Sequence, residues 1–166
     1  MRVTVHDANI LIDLDLAGIL GTWLEWGHET HITDLIALEI RRGRHPLVIA
    51  NIHSGRITVH PTSTERLAES MALAETVPQM GFKDVGCCLL AEELGALLLT
   101  GDGPIRQFAK ARPVELHGTL WIFDRLVEHR LLKPADAADK LESLLAQDRY
   151  LPRKACEERI RKWRGA

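Results

Sequence analysis

Acidic side chains standing just past the ends of strands are the residues of this chain best placed to do chemistry. Asp7 follows the β-branched run Val3–His6, and Asp102 lies two residues beyond Thr100, where the apolar run from Ala96 ends. Asp84 opens the helical segment that leads into that run, and Glu39 lies in a helix one layer away. Four carboxylates drawn into one cleft repel each other, and a hard divalent cation is the usual reason a protein tolerates that. Oxygen-only ligands favour magnesium or manganese over zinc. Such an ion acidifies bound water, orients a phosphate and offsets charge on a leaving oxygen, so the expected chemistry is phosphodiester hydrolysis. Taken singly, each acid also reads as ordinary capping, since Asp84 starts a helix and Asp102 sits in a turn.

Other side chains are weighed against that cluster. Lys83 and Arg106 flank Asp84 and Asp102 in sequence, and either could steer a phosphate, although solvated cations are common. TGDGP lacks the spacing of a phosphate-cradling loop and reads as a turn. The eight histidines show no HExxH or other metal spacing; His6 should point away from Asp7 on its strand, and His117 could touch phosphate. Trp23, Trp26, Trp121 and Trp163 offer stacking surfaces for single-stranded RNA or, more commonly, core and interface packing. The spacing of Trp23 and Trp26 suggests a dimer or partner contact. Asp124 could reach the cleft as a supporting acid, but a solvated face or a place beside Arg125 or His129 is the expectation. The tail from Arg153 to Arg164 is net basic and either follows a nucleic-acid backbone or is a solvated helix.

The elements that must position these residues alternate. Strands are expected over Val3–His6, His31–Thr33, Ile57–His60, Ala96–Thr100 and Val114–Leu116. Helices are expected from Asn9, over Leu16–Trp26, Leu35–Arg42, Pro46–Ile52, about Thr64–Thr76, Lys83–Leu94, Pro104–Lys110, Gly118–His129, Pro134–Ala146 and Arg153–Trp163. Pro78 and Gly81 mark a loop. Strands separated by helices imply crossovers and a mostly parallel sheet covered on both faces, a three-layer α/β/α sandwich. Such sheets bind ligands at the carboxyl ends of their strands.

The bulk properties agree. At 166 residues, 46% hydrophobic and 27% charged, the chain is the size and composition of one globular domain. Its amino terminus is interrupted by His6, Asp7, Asn9 and Asp13, so no signal peptide or membrane span is expected and the protein is placed in the cytoplasm. Cys87, Cys88 and Cys156 form neither a disulfide framework nor a CxxC pair and read as small buried hydrophobes. Setting the four acids aside turns the formal charge of −2 into +2, a mildly basic remainder.

VTVHDANILIDL resembles the first strand and helix of the PIN-domain family, ITDLIALEI its second acidic segment, and GFKDVGCCLLAEELGALLLTGD its third and fourth. HGTLWIFDRLVEHRLL resembles a closing segment of one PIN subgroup. The resemblance runs over most of residues 3 to 132, leaving 133–166 as a C-terminal helical extension packed on or beside the 1–132 domain. It implies a metal-dependent nuclease, commonly an endoribonuclease, and carries the catalytic and metal-ligand roles onto Asp7, Glu39, Asp84 and Asp102. Asn9 and Thr100 fit as polar neighbours of that shell, and with Lys83 and Arg106 they form the expected substrate-binding set. Small prokaryotic members resembling this chain act as toxins of the VapC type, restrained by an antitoxin that covers the cleft. The partners expected are therefore RNA, an antitoxin and a second copy of the chain. Asp124 and the longer tail depart from the minimal pattern. Two competing functions remain: a non-catalytic RNA- or protein-binding module on the same fold, and a receiver-like phosphotransfer domain, for which no suitable lysine is found.

Overall fold

In the computed structural model, which describes residues 2–43, 45–77 and 79–165, the chain begins with β1 (Val3–His6), α1 (Ala8–Leu16), α2 (Leu20–Glu25) and β2 (Glu29–Thr33). Next come α3 (Asp34–Gly43), α4 (Pro46–His53), β3 (Ile57–His60), α5 (Thr64–Glu75) and α6 (Phe82–Leu94). The chain closes with β4 (Leu97–Leu99), α7 (Gly103–Ala109), β5 (Leu116–His117), α8 (Thr119–Glu128), α9 (Pro134–Leu145) and α10 (Arg153–Arg164).

The five strands form one sheet in the order β3-β2-β1-β4-β5, and every neighbouring pair is parallel. The α/β architecture expected from the alternation of elements is therefore present, with a wholly parallel sheet. Parallel strands need crossover connections, and the helices that supply them cover the sheet. That is why β4, three leucines, is buried at every position.

The strand order decides where a site can form. From β1 the chain runs outward through β2 to β3, then returns to place β4 on the other side of β1. The β1/β4 junction is thus a topological switch point, where connections leave in opposite directions and open a crevice beyond the carboxyl ends of the strands. His6 pairs in register with Leu99, so the chain emerges as Asp7 from one strand and Thr100–Asp102 from the other at the same level.

Several details differ from the sequence reading. The helix expected over Leu16–Trp26 is interrupted: α1 ends at Leu16, Gly18 takes a positive φ of 63°, and α2 starts at Leu20. A left-handed residue there costs glycine little, so the break falls on it. β2 begins two residues early, at Glu29, because its first residues pair with β1. The last strand is Leu116–His117 rather than Val114–Leu116, since only the stretch that reaches Leu98 and Leu99 enters the ladder. The expected loop at Pro78 lies outside the described residues.

Residues 133–165 pack onto the rest of the molecule. α9 contacts α8 and α10, and Ala137, Ala138, Leu141, Leu144, Cys156 and Trp163 are all buried. All three cysteines are free and buried, as expected for small hydrophobes.

Candidate active site

Asp7 is the N-cap of α1 and its carboxylate accepts from the Ile10 amide at 2.8 Å. It also accepts from the Thr100 hydroxyl and, at 3.3 Å, from the Gly101 amide. Thr100 in turn accepts from the Asp102 amide at 3.2 Å, so one hydroxyl ties the end of β4 to the acid at the end of β1. Asp7 is 3% exposed. Burial, with the weaker help of the Asp84 charge, pushes its carboxyl up to about 6 against the pull of those three hydrogen bonds.

Asp84 stands in the first turn of α6, folded back so that its carboxylate accepts from the Gly81 amide at 3.2 Å. A Cβ at residue 81 would stand 2.8 Å from that carboxylate, which is why glycine precedes this helix. The capping role and the cluster role expected from the sequence therefore coexist in one side chain. Burial is the largest cause raising the Asp84 carboxyl, followed by the charge of Asp102 and, more weakly, that of Glu39, with Lys83 opposing. Asp102 is the N-cap residue of α7, yet its carboxylate makes no capping hydrogen bond. It too is raised by burial. Glu39, on α3, forms an ion pair with Lys83 at the edge of the cluster.

The sheet and helices thus bring Asp7, Asp84 and Asp102 into one another's field with Glu39 beside them. Among the described residues, no group of three or more His, Cys, Asp or Glu side chains is drawn together closely enough to hold a metal ion as it stands. Glu39 is turned to Lys83, and Asp84 accepts from the Gly81 amide. The donor chemistry nonetheless suits a hard cation, because carboxyls whose charged forms are disfavoured by burial and by one another gain most from a divalent ion among them.

The remaining residues singled out from the sequence fall in several places. Arg106 donates to the Thr100 carbonyl at 3.3 Å and lines a cavity beside Asp102. Asn9 is exposed at the same cavity, where its side-chain oxygen accepts from Arg149 at 3.1 Å rather than supporting Asp7. Lys83 is engaged by Glu39. Asp124, expected in solvent or beside Arg125 or His129, instead takes a bidentate grip from Arg159 of α10 at 2.7 and 3.0 Å, because α10 docks across α8; Arg125 pairs with Glu128. That grip, with Arg164 bound to Asp139 and Glu142, commits part of the basic tail to internal pairs.

The tryptophans need a correction. Trp23 is fully buried and donates to Thr30 at 3.1 Å, so it offers no partner surface. Its ring packs against His6, Trp26 and His28, filling the core beneath β1. His6 indeed points away from Asp7 into that core.

Sequence reasoning passed over the buried Asp13, which accepts from Arg149 at 2.6 Å and Thr119 at 2.7 Å. A signal existed, because Asn9 and Asp13 are four apart on α1 and share a face. Their common partner Arg149 lies in a loop that no periodicity marks.

A family model described as a PIN domain matches residues 3–165 of the chain. No curated protein matches it. Among solved structures it is similar to the crystal structure of PAE2754 from Pyrobaculum aerophilum, with a TM-score of 0.54 and 16% identity over 76% of this chain and 90% of that one. It is also similar to VapBC2 from Rickettsia felis, a structure bound to a DNA fragment from their promoter, with a TM-score of 0.50 and 15% identity over 70% of this chain and 98% of that one.

Proposed function

Because the chain belongs to the PIN-domain family, we propose that it is an endoribonuclease that hydrolyses RNA phosphodiester bonds with magnesium or manganese held by Asp7, Glu39, Asp84 and Asp102. The observation that carries this reading is the coupling of Asp84 to Asp7, Asp102 and Glu39 at the β1/β4 switch point. Such mutual repulsion has no structural benefit, and a divalent cation would turn it into binding energy. When bound, the metal supplies an acidified water and neutralises charge at the phosphate.

The chain's own residues position the rest. Thr100 and the Ile10 and Gly101 amides fix both oxygens of Asp7, so that acid is held in one orientation. The Thr100 hydroxyl also fixes the backbone at Asp102. Lys83 balances the charge of Glu39 at the rim. Arg106 stands one turn along α7 from Asp102 and lines the cavity beside it, placed to take a phosphate.

The reading extends to the toxin of a toxin–antitoxin pair, a cytoplasmic homodimer restrained by an antitoxin. The fold shared with VapBC2 supports that extension. No described helix is long and apolar enough to cross a membrane.

A second reading, a non-catalytic RNA- or protein-binding module on the same fold, is favoured by the engagement of Glu39 with Lys83. Cleavage of a mixed RNA pool by purified protein separates the two. Cutting in magnesium or manganese that stops in EDTA and in Asp7→Asn and Asp84→Asn is the expected result. A folded wild-type protein that cuts nothing would favour the binding module.

A further inference from the structure

We infer that the cavity beside Asp102 is a nucleotide-binding site, which seats one unpaired RNA base next to the scissile phosphate and takes an adjacent phosphate on Arg106. The choice of RNA as ligand rests on the ribonuclease reading above. The cavity holds about 810 Å³, within the range of sites that enclose small ligands. It opens directly onto Asp102, so anything bound in it lies against the acidic cluster.

Its charges have been sorted. Asp13 is matched by Arg149 and Asp124 by Arg159, each through hydrogen bonds that also consume most of the guanidinium donors. Arg106 differs. It is exposed, it has no acidic partner among the described residues, and its one hydrogen bond is to the Thr100 carbonyl at 3.3 Å. A guanidinium so placed keeps donors free for a phosphate.

Gly118 makes that placement possible. A Cβ there would stand 2.9 Å from the Arg106 guanidinium and 3.3 Å from the Thr100 carbonyl. The φ of Gly118 is −126°, open to any residue, so what the position requires is space and not glycine's conformational freedom. The fold keeps a side-chain-free notch in which Arg106 lies.

The remaining walls supply stacking. His117 stacks on Trp121, with ring centroids 4.5 Å apart and planes 15° apart. Tyr150 lines the cavity with its ring fully exposed. Aromatic faces beside a free cation are the combination that holds single-stranded nucleic acid, because every base has a face to stack and every linkage a phosphate.

The test is fluorescence anisotropy of a short labelled oligouridylate in EDTA, where binding is read without metal-dependent cleavage. Arg106→Ala should weaken binding roughly tenfold and reduce the salt dependence by about one phosphate contact. Tyr150→Ala should weaken binding about tenfold and leave the salt slope alone. Gly118→Ala should weaken binding more in the wild-type background than in Arg106→Ala, since its tightest contact is with that guanidinium. Arg106 and Tyr150 are exposed, so both variants should melt with the wild type; Arg106→Gln provides a second neutral form.

Wild-type affinity and slope in both Arg106 variants would overturn the proposal, as would a Gly118→Ala loss of equal size with and without Arg106. If the expected contrasts appear while the metal-supplied wild type cuts no RNA, the nucleotide site stands and the nuclease reading falls.

Discussion

A carboxylate that accepts three hydrogen bonds is ordinarily held acidic, yet burial pushes Asp7 up to about 6. At neutral pH the fold therefore carries a charge that burial disfavours, at a cost of about 3 kcal/mol relative to the unfolded chain. Asp7→Asn removes the charge but turns an amide nitrogen toward the Gly101 N–H or the Ile10 N–H, which returns part of the gain. We expect the metal-free variant to be more stable than wild type by about 1–2 kcal/mol, a melting temperature higher by roughly 3–6 °C, while losing RNA cleavage. Calorimetry in EDTA checks the first part, and an unchanged or lowered melting temperature would show that Asp7 is comfortable as it stands. The sequence made this residue legible because its position past a β-branched run needs only local pattern. It did not show that Glu39 meets Lys83, since that contact joins side chains 44 positions apart.

At the scale of elements, the loop between α9 and α10 is clamped to α1 by Arg149, which grips Asp13 and Asn9. Asp13 is 5% exposed, and Thr119 at the start of α8 is its other partner, so one carboxylate joins three elements. Arg149→Ala leaves that charge buried with a hydroxyl alone, a change expected to cost about 3 kcal/mol. Urea unfolding measures it, with a midpoint unchanged from wild type as the opposing outcome. The double variant Asp13→Asn with Arg149→Ala should recover part of the loss, because no buried charge is stranded. The same contacts bear on residues 133–166. A chain ending at residue 132 would lose Arg149 and Arg159 and uncover Phe123, which is fully buried and packs against Trp163 of α10. We expect it to be largely unfolded or aggregated by circular dichroism and gel filtration, whereas a soluble, native-like fragment would make the extension an appendage. The parallel sheet followed from alternating elements, but its strand order and this clamp did not, because Arg149 lies in an irregular segment whose partner is set only by packing.

The whole molecule sums opposing titrations. Burial first, and then the nearby charges of His28 and His31, lower the His6 imidazole to about 3. An unfolded histidine takes up its proton near 6.5, so between about 6.5 and 3 the unfolded chain binds more protons and His6 draws stability down as pH falls, by about 1.4 kcal/mol per unit. Asp7 works in the other sense. Its folded carboxyl protonates at about 6 and its unfolded one near 3.9, so over that window the native state binds more protons and stability rises as pH falls. The lowered His28 and His31 add to the first trend, and the raised Asp84 and Asp102 to the second. Metal-free wild-type protein should therefore show a nearly level stability between pH 6 and 4, then a steep fall. Asp7→Asn lacks one of the compensating groups, so its advantage over wild type should be largest above pH 6, shrink as pH falls and turn into a deficit of about 1–2 kcal/mol by about pH 4, where the strain is gone and the mismatched amide remains. Parallel melting curves of the two proteins across this range, in EDTA, decide the point. A difference that stays constant with pH would mean that Asp7 titrates no differently in the folded chain than in the unfolded one, and that the strain assigned to the acidic cluster resides elsewhere.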